Sequence, residues 1–368
     1  MREREDARRD AAKRDATWMK ILRMVAPGSL LREGVDSVLR AKTGGLIVIG
    51  CDDDMRSLID GGFAIDCDFS PAGLYELAKM DGAIILSEDT QRILYANAQL
   101  NPDPSIPTTE TGTRHRAAER TAKQTSRLVL CISERRNIIT LYQGQFRYSL
   151  KDLTTILTKA NQAIQTLERY KSVLDAGLSN LSTLEMDETV TLHEVINVLQ
   201  RFQMVSRIRA EIKRYITELG TEGRLVSMQL EELTTRVDEE AYLLVKDYMA
   251  PAHSSTPHQI LMDLAQLDAE EMLQEQTVAQ ILGYSGEVNW KERPISSRGH
   301  RILHKIPRLP QPVIDNLAEE FSTLGRIVSA TVEELHEVEG IGTARARTIK
   351  DGLKRMHDQA SLERNSYT

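Results

Sequence analysis

Between Trp18 and Arg40 apolar residues recur at helical spacing: Ile21, Leu22 and Val25, then Leu30, Leu31, Val35, Val38 and Leu39 beyond Pro27-Gly28. This spacing predicts helix with one buried stripe. The period then changes. Leu46-Ile47-Val48-Ile49, Ala83-Ile84-Ile85-Leu86 and Leu128-Val129-Leu130-Cys131-Ile132 are short, continuous apolar runs bounded by Gly, Asp or Ser. Such runs predict strands buried on both faces. Ile138 to Tyr142, Gln143-Gly144-Gln145 and Phe146 to Tyr148 predict a hairpin with glycine in its turn. Pro71 to Met80 and Arg116 to Ser126 read as helices. The sum is a mixed α/β domain ending near Leu150.

From there to about Gly283 the strand signal disappears. Leu153, Ile156, Leu157, Ala160, Ala163, Ile164, Leu167 and Tyr170 recur every three or four residues. Val195 to Ile216 and Leu225 to Val245 do the same. Three long amphipathic helices are expected, broken near Gly177 and Gly220. A loop over Ala250 to Pro257 and a helical stretch over Gln259 to Leu282 follow. This region has no concentration of chemical side chains and reads as a spacer or assembly spine. Beyond it the chain repeats itself at an offset of 32. Leu303, Ile306, Leu309, Ile314, Leu317 and Phe321 fall on Leu335, Val338, Ile341, Ala346, Ile349 and Leu353. Two helical hairpins side by side are the economical explanation, because one alone cannot bury its apolar face.

A length of 368 residues at 41% hydrophobic and 27% charged allows two or three domains, each with its own core. Methionine outnumbers phenylalanine 12 to 5, which favours helix-rich packing. No apolar run approaches the ~18 residues of a membrane span. Residues 1–14 lack the apolar core of a signal peptide and read as a frayed arm or first helical turn. Three cysteines without C-x-x-C spacing argue against a disulfide framework or thiolate zinc site, and fit a reducing cytoplasm. The net charge of −7 means that any contact with nucleic acid comes from a local patch.

The richest chemistry lies in Glu110-Thr111-Gly112-Thr113-Arg114-His115-Arg116. Two hydroxyls, a flexible glycine and three cationic or potentially cationic side chains precede a helix, a natural phosphate site. An N-cap with a solvated basic turn is the plainer reading. Met80-Asp81-Gly82-Ala83 ends a helix and opens a buried strand. Asp81 is suited to Mg²⁺ or Mn²⁺ bridged to phosphates, and Gly82 to close backbone approach; alone, Asp-Gly is a turn. Ser133, in Cys131-Ile132-Ser133-Glu134-Arg135-Arg136, stands near a strand's carboxyl end, where ligands of α/β folds bind. Asp52-Asp53-Asp54 reads as a solvated loop. Gly44-Gly45 and Gly61-Gly62 lack the P-loop and dinucleotide-binding frameworks.

Near the C-terminus, Val338-Glu339-Gly340-Ile341-Gly342-Thr343-Ala344-Arg345-Ala346-Arg347 reads as a compact hairpin whose glycines expose backbone N–H groups to a phosphate. Lys350, Lys354 and Arg355 follow. Residues 286–368 hold 13 Lys+Arg and 12 Asp+Glu, so the basic character is a patch. Contact with a protein is the alternative use. Binding to DNA here would be phosphate-directed and salt-sensitive.

In their order and spacing these pieces resemble the bacterial DNA-integrity scanning proteins, a family of diadenylate cyclases. The resemblance covers nearly the whole chain. It rests on Met80 to Ile84, Tyr95 to Asp103, Ile106 to Arg120, Ile132 to Tyr142 and the C-terminal hairpins. It implies a cyclase domain over 1–150, an all-α linker and assembly spine over 151–285, and a tandem helix-hairpin-helix DNA-binding domain over 286–368. It implies condensation of two ATP into cyclic di-3′,5′-AMP with loss of two pyrophosphates. Asp81 would be the metal ligand and would help activate the ribose 3′-hydroxyl. Gly82 and Leu100 would contact the nucleotide. Thr111, Thr113, Arg114, His115, Arg116 and Ala117 would line the triphosphate, with Ser133 in the same pocket. Ala117 and Glu134 depart from the family's usual Thr and Gln. Gly340, Gly342, Thr343, Arg345, Arg347 and Lys350 would face DNA.

Ring closure needs two nucleotides held face to face. The resemblance therefore implies a homo-octamer with cyclase domains head to head, suppressed by branched DNA such as a Holliday junction. It places the protein in the bacterial cytoplasm, near the nucleoid. Two other readings stand beside it. One is a non-catalytic branched-DNA scaffold that senses nucleotide, for which Asp81 and Arg114-His115-Arg116 together would have no use. The other is a nuclease or repair enzyme, disfavoured because no carboxylate cluster accompanies the hairpins.

Overall fold

The computed structural model describes residues 16–251, 253–284 and 291–366. The N-terminal arm expected over 1–14 and the boundary expected at 285/286 lie outside the described residues. The chain divides into two compact units, Met1–Asn161 with Lys213–Ser227, and Gln162–Ile212 with Met228–Thr368.

The first unit opens with helix α1 over 16–24 and α2, Leu30–Arg40, whose first turn is capped by the Ser29 hydroxyl. Then come β1 (Gly45–Ile49), α3 (Asp53–Ser57), β2 (Ile59–Asp60), β3 (Phe63–Asp68), α4 (Pro71–Leu77), β4 (Ala83–Leu86), β5 (Arg92–Leu100), α5 (Thr113–Thr125), β6 (Leu128–Ser133), β7 (Ile138–Gln143) and β8 (Phe146–Ser149). The strands form one mixed sheet in the order β2-β5-β4-β1-β6-β7-β8, with β3 also on β5. Among the described residues only β1 and β4 pair in parallel.

The three continuous apolar runs are the adjacent central strands β4, β1 and β6. Their side chains alternate between two cores. Ile47, Ile49, Ile84, Leu86, Leu130 and Ile132 pack with Val25, Leu31, Val35, Val38 and Leu74 from α2, α4 and the end of α1. Leu46, Val48, Ala83, Ile85, Val129 and Cys131 pack with Met55, Ala118, Ala122 and Tyr142 on the other face. Burial on both sides is why these strands carry no polar alternation. The β7–β8 hairpin turns at Gly144, whose φ is +53°.

Three expectations are corrected here. The strands β3 and β5 escaped the sequence reading, because β3 is exposed throughout and β5 alternates with polar residues. Asp52-Asp53-Asp54 is not a loop. Asp52 caps α3 by accepting from the Met55 N–H at 2.9 Å, and it pairs with Arg127. Helix α5 starts at Thr113 rather than Arg116, with Gly112 as its N-cap.

Helices α6 (Leu153–Met186) and α7 (Leu192–Leu219) run without a break at Gly177. That glycine is helical and its missing β-carbon is space used by a neighbour. A β-carbon there would stand 2.2 Å from Nη1 of Arg201, the far end of a flexible side chain. The break at Gly220 is real. Its φ is +53° and a 3₁₀ turn over Gly220–Gly223 follows. The expected third helix is two, α8 (Arg224–Leu233) and α9 (Val237–Tyr248), and the expected helix over 259–282 is three, α10 (Pro257–Gln266), α11 (Ala269–Leu273) and α12 (Glu275–Ile281).

The C-terminal helices are α13 (His300–His304), α14 (Gln311–Phe321), α15 (Leu324–Ser329), α16 (Val332–Glu337) and α17 (Thr343–Ser366). Helices α14 and α17 begin 32 residues apart, at the offset of the sequence repeat. Ten of the twelve repeat positions are buried in one core, and Leu309 and Phe321 pack at its edge. A buried polar cluster anchors α13. Asp247 accepts from the N–H groups of His300 at 2.7 Å and Arg301 at 2.9 Å. Arg301 pairs with Glu185, which also accepts from the Tyr248 hydroxyl at 2.8 Å. Among the described residues no helix is long and apolar enough to cross a membrane.

Candidate active site and C-terminal hairpin

Sheet register brings the dispersed motifs of the first unit to one edge. Ile47 lies opposite Ile84, Gly45 opposite Ile132, and Ala83 opposite Ala98. The start of β1, the start of β4, the end of β5 and the end of β6 therefore share one end of the sheet. Asp81 and Gly82 precede β4, Leu100 ends β5, and Ser133 ends β6. Helix α5 contributes Thr113, Arg114, His115 and Arg116 in its first turn and Ala117 next to it. Its first N–H groups have no side-chain cap at Gly112, which leaves them for an anion.

Arg114 joins the pieces. Its Nη2 lies 3.5 Å from Oδ1 of Asp81. A β-carbon at Gly44 would stand 2.4 Å from its Nη1, and Gly44 has a φ of +69°. Gly44 therefore makes the space in which the guanidinium rests. The Asp81 side chain is fully exposed. Thr111, Thr113 and Arg116 are exposed, and Ala117 and Leu100 are half-buried. The Ser133 hydroxyl accepts from the Arg136 N–H at 3.3 Å and shapes the turn after β6.

Gly82 is required for a different reason from the one its sequence suggested. A β-carbon there would meet the Asn97 backbone at 2.3 Å, and the Gly82 N–H donates to Asn97 Oδ1 at 3.1 Å. Asn97 itself takes a left-handed φ of +51°. The close approach that needs glycine is thus to β5, and it fixes the Asp81 turn against that strand.

The loop before α5 is tied back onto the helix. Glu119 accepts from the Thr108 hydroxyl at 2.5 Å and the Thr109 N–H at 3.2 Å, and pairs with Lys123 at 2.7 Å. Arg120 and Lys123 donate to the carbonyls of Ile106 and Pro107. His115 Nδ1 lies 2.9 Å from the Tyr142 hydroxyl, which donates to Glu110 at 2.8 Å. Glu110 also pairs with Arg147 at 2.6 Å. Burial pushes the His115 imidazole below its usual range, with the Glu110 carboxylate opposing and Arg136, Arg147 and Arg114 adding to it. Gly44, Asn97, Glu119, Tyr142 and Arg147 were not marked as site residues by the sequence. The partners of Gly44, Asn97, Tyr142 and Arg147 lie 15 or more positions away, so no local spacing points to them, whereas Glu119 and Lys123 stand at the i,i+4 spacing of a helical ion pair.

Among the described residues no group of three or more His, Cys, Asp or Glu could hold a metal ion. A hard divalent cation still fits the arrangement. Such ions are commonly held by one or two carboxylates, with waters and substrate phosphates completing the shell. Asp81 supplies one exposed carboxylate.

In the second unit, Gly340 has a φ of +83°, and Gly342 has open space where a β-carbon would be. Ile341 between them is buried. Thr343 and Arg345 are exposed on the first turn of α17, and Arg347 is exposed just beyond it. Arg345 reaches back to the Gly340 carbonyl. Lys350 is less available than its sequence suggested, because its ammonium donates to the Val328 carbonyl at 2.7 Å.

Comparison with known proteins gives the family. Residues 32–146 match the family described as DisA bacterial checkpoint controller nucleotide-binding. Residues 150–291 match the DisA bacterial checkpoint controller linker region. The DNA integrity scanning protein DisA of Carboxydothermus hydrogenoformans is 56% identical over 348 residues, 95% of this chain and 99% of that protein. Its namesake from Bacillus licheniformis is 54% identical over 98% of this chain and 99% of its own length. A partial likeness extends to the solved structure of DacA from Staphylococcus aureus, at 24% identity over 33% of this chain and 87% of that one, with a TM-score of 0.29. With its motifs gathered at one sheet edge and its full-length relatives over half identical, this chain belongs to the DisA family of bacterial checkpoint controllers and is a diadenylate cyclase.

Proposed function

We propose that the chain converts two ATP molecules into cyclic di-3′,5′-AMP and two pyrophosphates, each ribose 3′-hydroxyl attacking the other nucleotide's α-phosphate. The observation that carries this is Arg114, held between the Asp81 carboxylate and the Gly44 backbone at the open edge of the sheet. One such edge presents one set of phosphate-gripping groups. Closing a ring from two nucleotides requires a second edge facing the first. The active form is therefore an assembly in which cyclase domains meet, a homo-octamer by family resemblance.

In this reading Thr111, Thr113, Arg114, His115, Arg116 and the first N–H groups of α5 hold the triphosphate and offset its charge. Ala117 continues that wall, Gly82 and Leu100 bound the base and sugar, and Ser133 shapes the far side. Asp81 would hold Mg²⁺ or Mn²⁺, which when bound lowers the pKa of a coordinated hydroxyl and draws charge from phosphate oxygens. The protein's own contribution is positioning and a preorganised positive field, which is what nucleotidyl transfer needs most.

The C-terminal hairpin is proposed to bind branched DNA through the Gly340–Gly342 turn, Thr343, Arg345 and Arg347, with Lys350 as a secondary contact, and DNA occupancy to lower synthesis. A protein of this kind would work in the cytoplasm near the nucleoid. The test is to incubate the purified protein with ATP and either Mg²⁺ or Mn²⁺, with and without a four-way junction, and identify products by mass spectrometry. A cyclic dinucleotide that falls when the junction is added is the expected result. Unreacted ATP under both metals, from assembled protein, would favour a non-catalytic scaffold.

A further inference from the structure

Glu110, Tyr142 and Arg147 come from the loop before α5, from β7 and from β8, and they meet at one face of His115. Arg147 Nε donates to Glu110 Oε1 at 2.6 Å, and the Tyr142 hydroxyl donates to the same oxygen at 2.8 Å. The Tyr142 oxygen is also 2.9 Å from His115 Nδ1. A phenol has one proton to give. With that proton directed to a carboxylate, the phenolic oxygen can only accept from the imidazole, so Nδ1 carries a hydrogen. The neutral ring then has its lone pair on Nε2. That atom is buried and has no hydrogen-bond partner among the described residues. A buried polar atom left single in this way requires a partner from elsewhere.

We propose that Arg147, Glu110 and Tyr142 are positioning residues that hold His115 in its Nδ1–H form and reserve Nε2 for an oxygen of the ATP triphosphate. This rests on the assignment of His115 to the triphosphate grip. Phosphate oxygens accept hydrogen bonds and do not donate them. Nε2 therefore holds one only when it is protonated, and the ring becomes an imidazolium as ATP binds. Tyr142 and the Glu110 carboxylate behind it share the charge through Nδ1, as a carboxylate behind a histidine does in other sites.

The surrounding charges fit this role. In the free protein burial keeps His115 below its usual range, while Arg136, Arg147 and Arg114 add to that effect and Glu110 opposes it. Burial alone would raise the Glu110 carboxyl, but its bonds from Arg147 and Tyr142 outweigh that and hold it low, so it stays ionised. Burial and the adjacent Glu110 keep the Tyr142 phenol protonated. Burial also pushes the nearby Cys131 thiol up to about 12. His115 is thus the member of this set whose charge would change when the triphosphate binds.

The experiment measures ATP binding by calorimetry in buffers of different ionisation enthalpy, and the pH dependence of kcat and kcat/KM, for the full chain and for Tyr142→Phe and Glu110→Gln. Wild type should take up a proton on binding ATP above neutral pH. Tyr142→Phe should lower kcat/KM by about 10- to 100-fold and move the alkaline limb of the profile to lower pH, with its circular dichroism unchanged. Glu110→Gln keeps the hydrogen-bonding shape and removes the charge, so it should move the same limb in the same direction. It decides the matter if Tyr142→Phe does not fold. A pH profile that superimposes on wild type in the folded variant, or ATP binding without proton uptake, would overturn the proposal. The proposed reaction is judged separately: wild type either makes the cyclic dinucleotide or does not.

Discussion

Arg114 rests against Gly44, 70 positions earlier in the chain, so closely that a β-carbon at Gly44 would stand 2.4 Å from Nη1 of the guanidinium. The same guanidinium lies 3.5 Å from Asp81. A glycine on one strand's approach therefore sets where a helix's arginine rests beside Asp81. Gly44→Ala combines this clash with a backbone φ of +69°. The expected result is a loss of about 10-fold or more in kcat/KM, the scale of a 1 Å misplacement of a catalytic group. Steady-state assays of cyclic dinucleotide formation measure it, and wild-type kinetics would release Arg114 from this constraint.

Asp81→Asn keeps the size of the side chain and removes its charge. Synthesis should fall by about 10²-fold or more, while ATP affinity changes far less, because the gripping groups on α5 are untouched. Single-turnover assays beside equilibrium binding separate the two effects. Equal turnover by the variant would remove Asp81 from the chemistry.

Arg347 is exposed just beyond the first turn of α17. Arg347→Ala should weaken junction binding, and the slope of log affinity against log salt should become shallower by about 1, as for one lost phosphate contact. Fluorescence anisotropy at several salt concentrations reads both. An unchanged slope would move the DNA surface off this hairpin.

Glu185 and Arg301 are both fully buried and paired. Glu185→Ala leaves a buried guanidinium uncompensated and should destabilise the second unit by about 3–5 kcal/mol. Replacing both residues with Met should recover most of that, since the cost lies in the stranded charge. Urea unfolding of the single and double variants makes the comparison. Equal losses in both would place the cost in packing instead.

Stability of the first unit should fall in acid. Burial raises the Glu110 and Glu119 carboxyls, but hydrogen bonds and ion pairs with Arg147 and Tyr142, and with Lys123 and Thr108, outweigh it and hold both low. Folded values below the unfolded carboxyl value of about 4.3 mean that this stabilisation is complete above that pH. It is lost as pH falls through the depressed values. Melting temperatures from pH 7 to pH 3 should drop most steeply at the acid end, and Glu119→Gln should flatten that drop. A parallel curve for the variant would assign the acid loss to other carboxylates.

The sequence by itself determined the parts that local rules govern. The three continuous apolar runs had to be interior strands, because polar residues cannot lie between two cores. The offset of 32 residues fixed two hairpins whose apolar positions share one core. The residues proposed to hold phosphate were read as motifs through family resemblance. The tertiary structure decided what lies across the sheet. It set the strand order, recruited β3 and β5 despite their polar composition, and kept α6 continuous through Gly177. It also placed Gly44 under Arg114, Asn97 against Gly82, and Tyr142 and Glu110 behind His115. Periodicity and propensity act over a few residues, whereas these contacts join side chains 15 to 70 positions apart. Strand register brings them together, and register is a property of the assembled sheet.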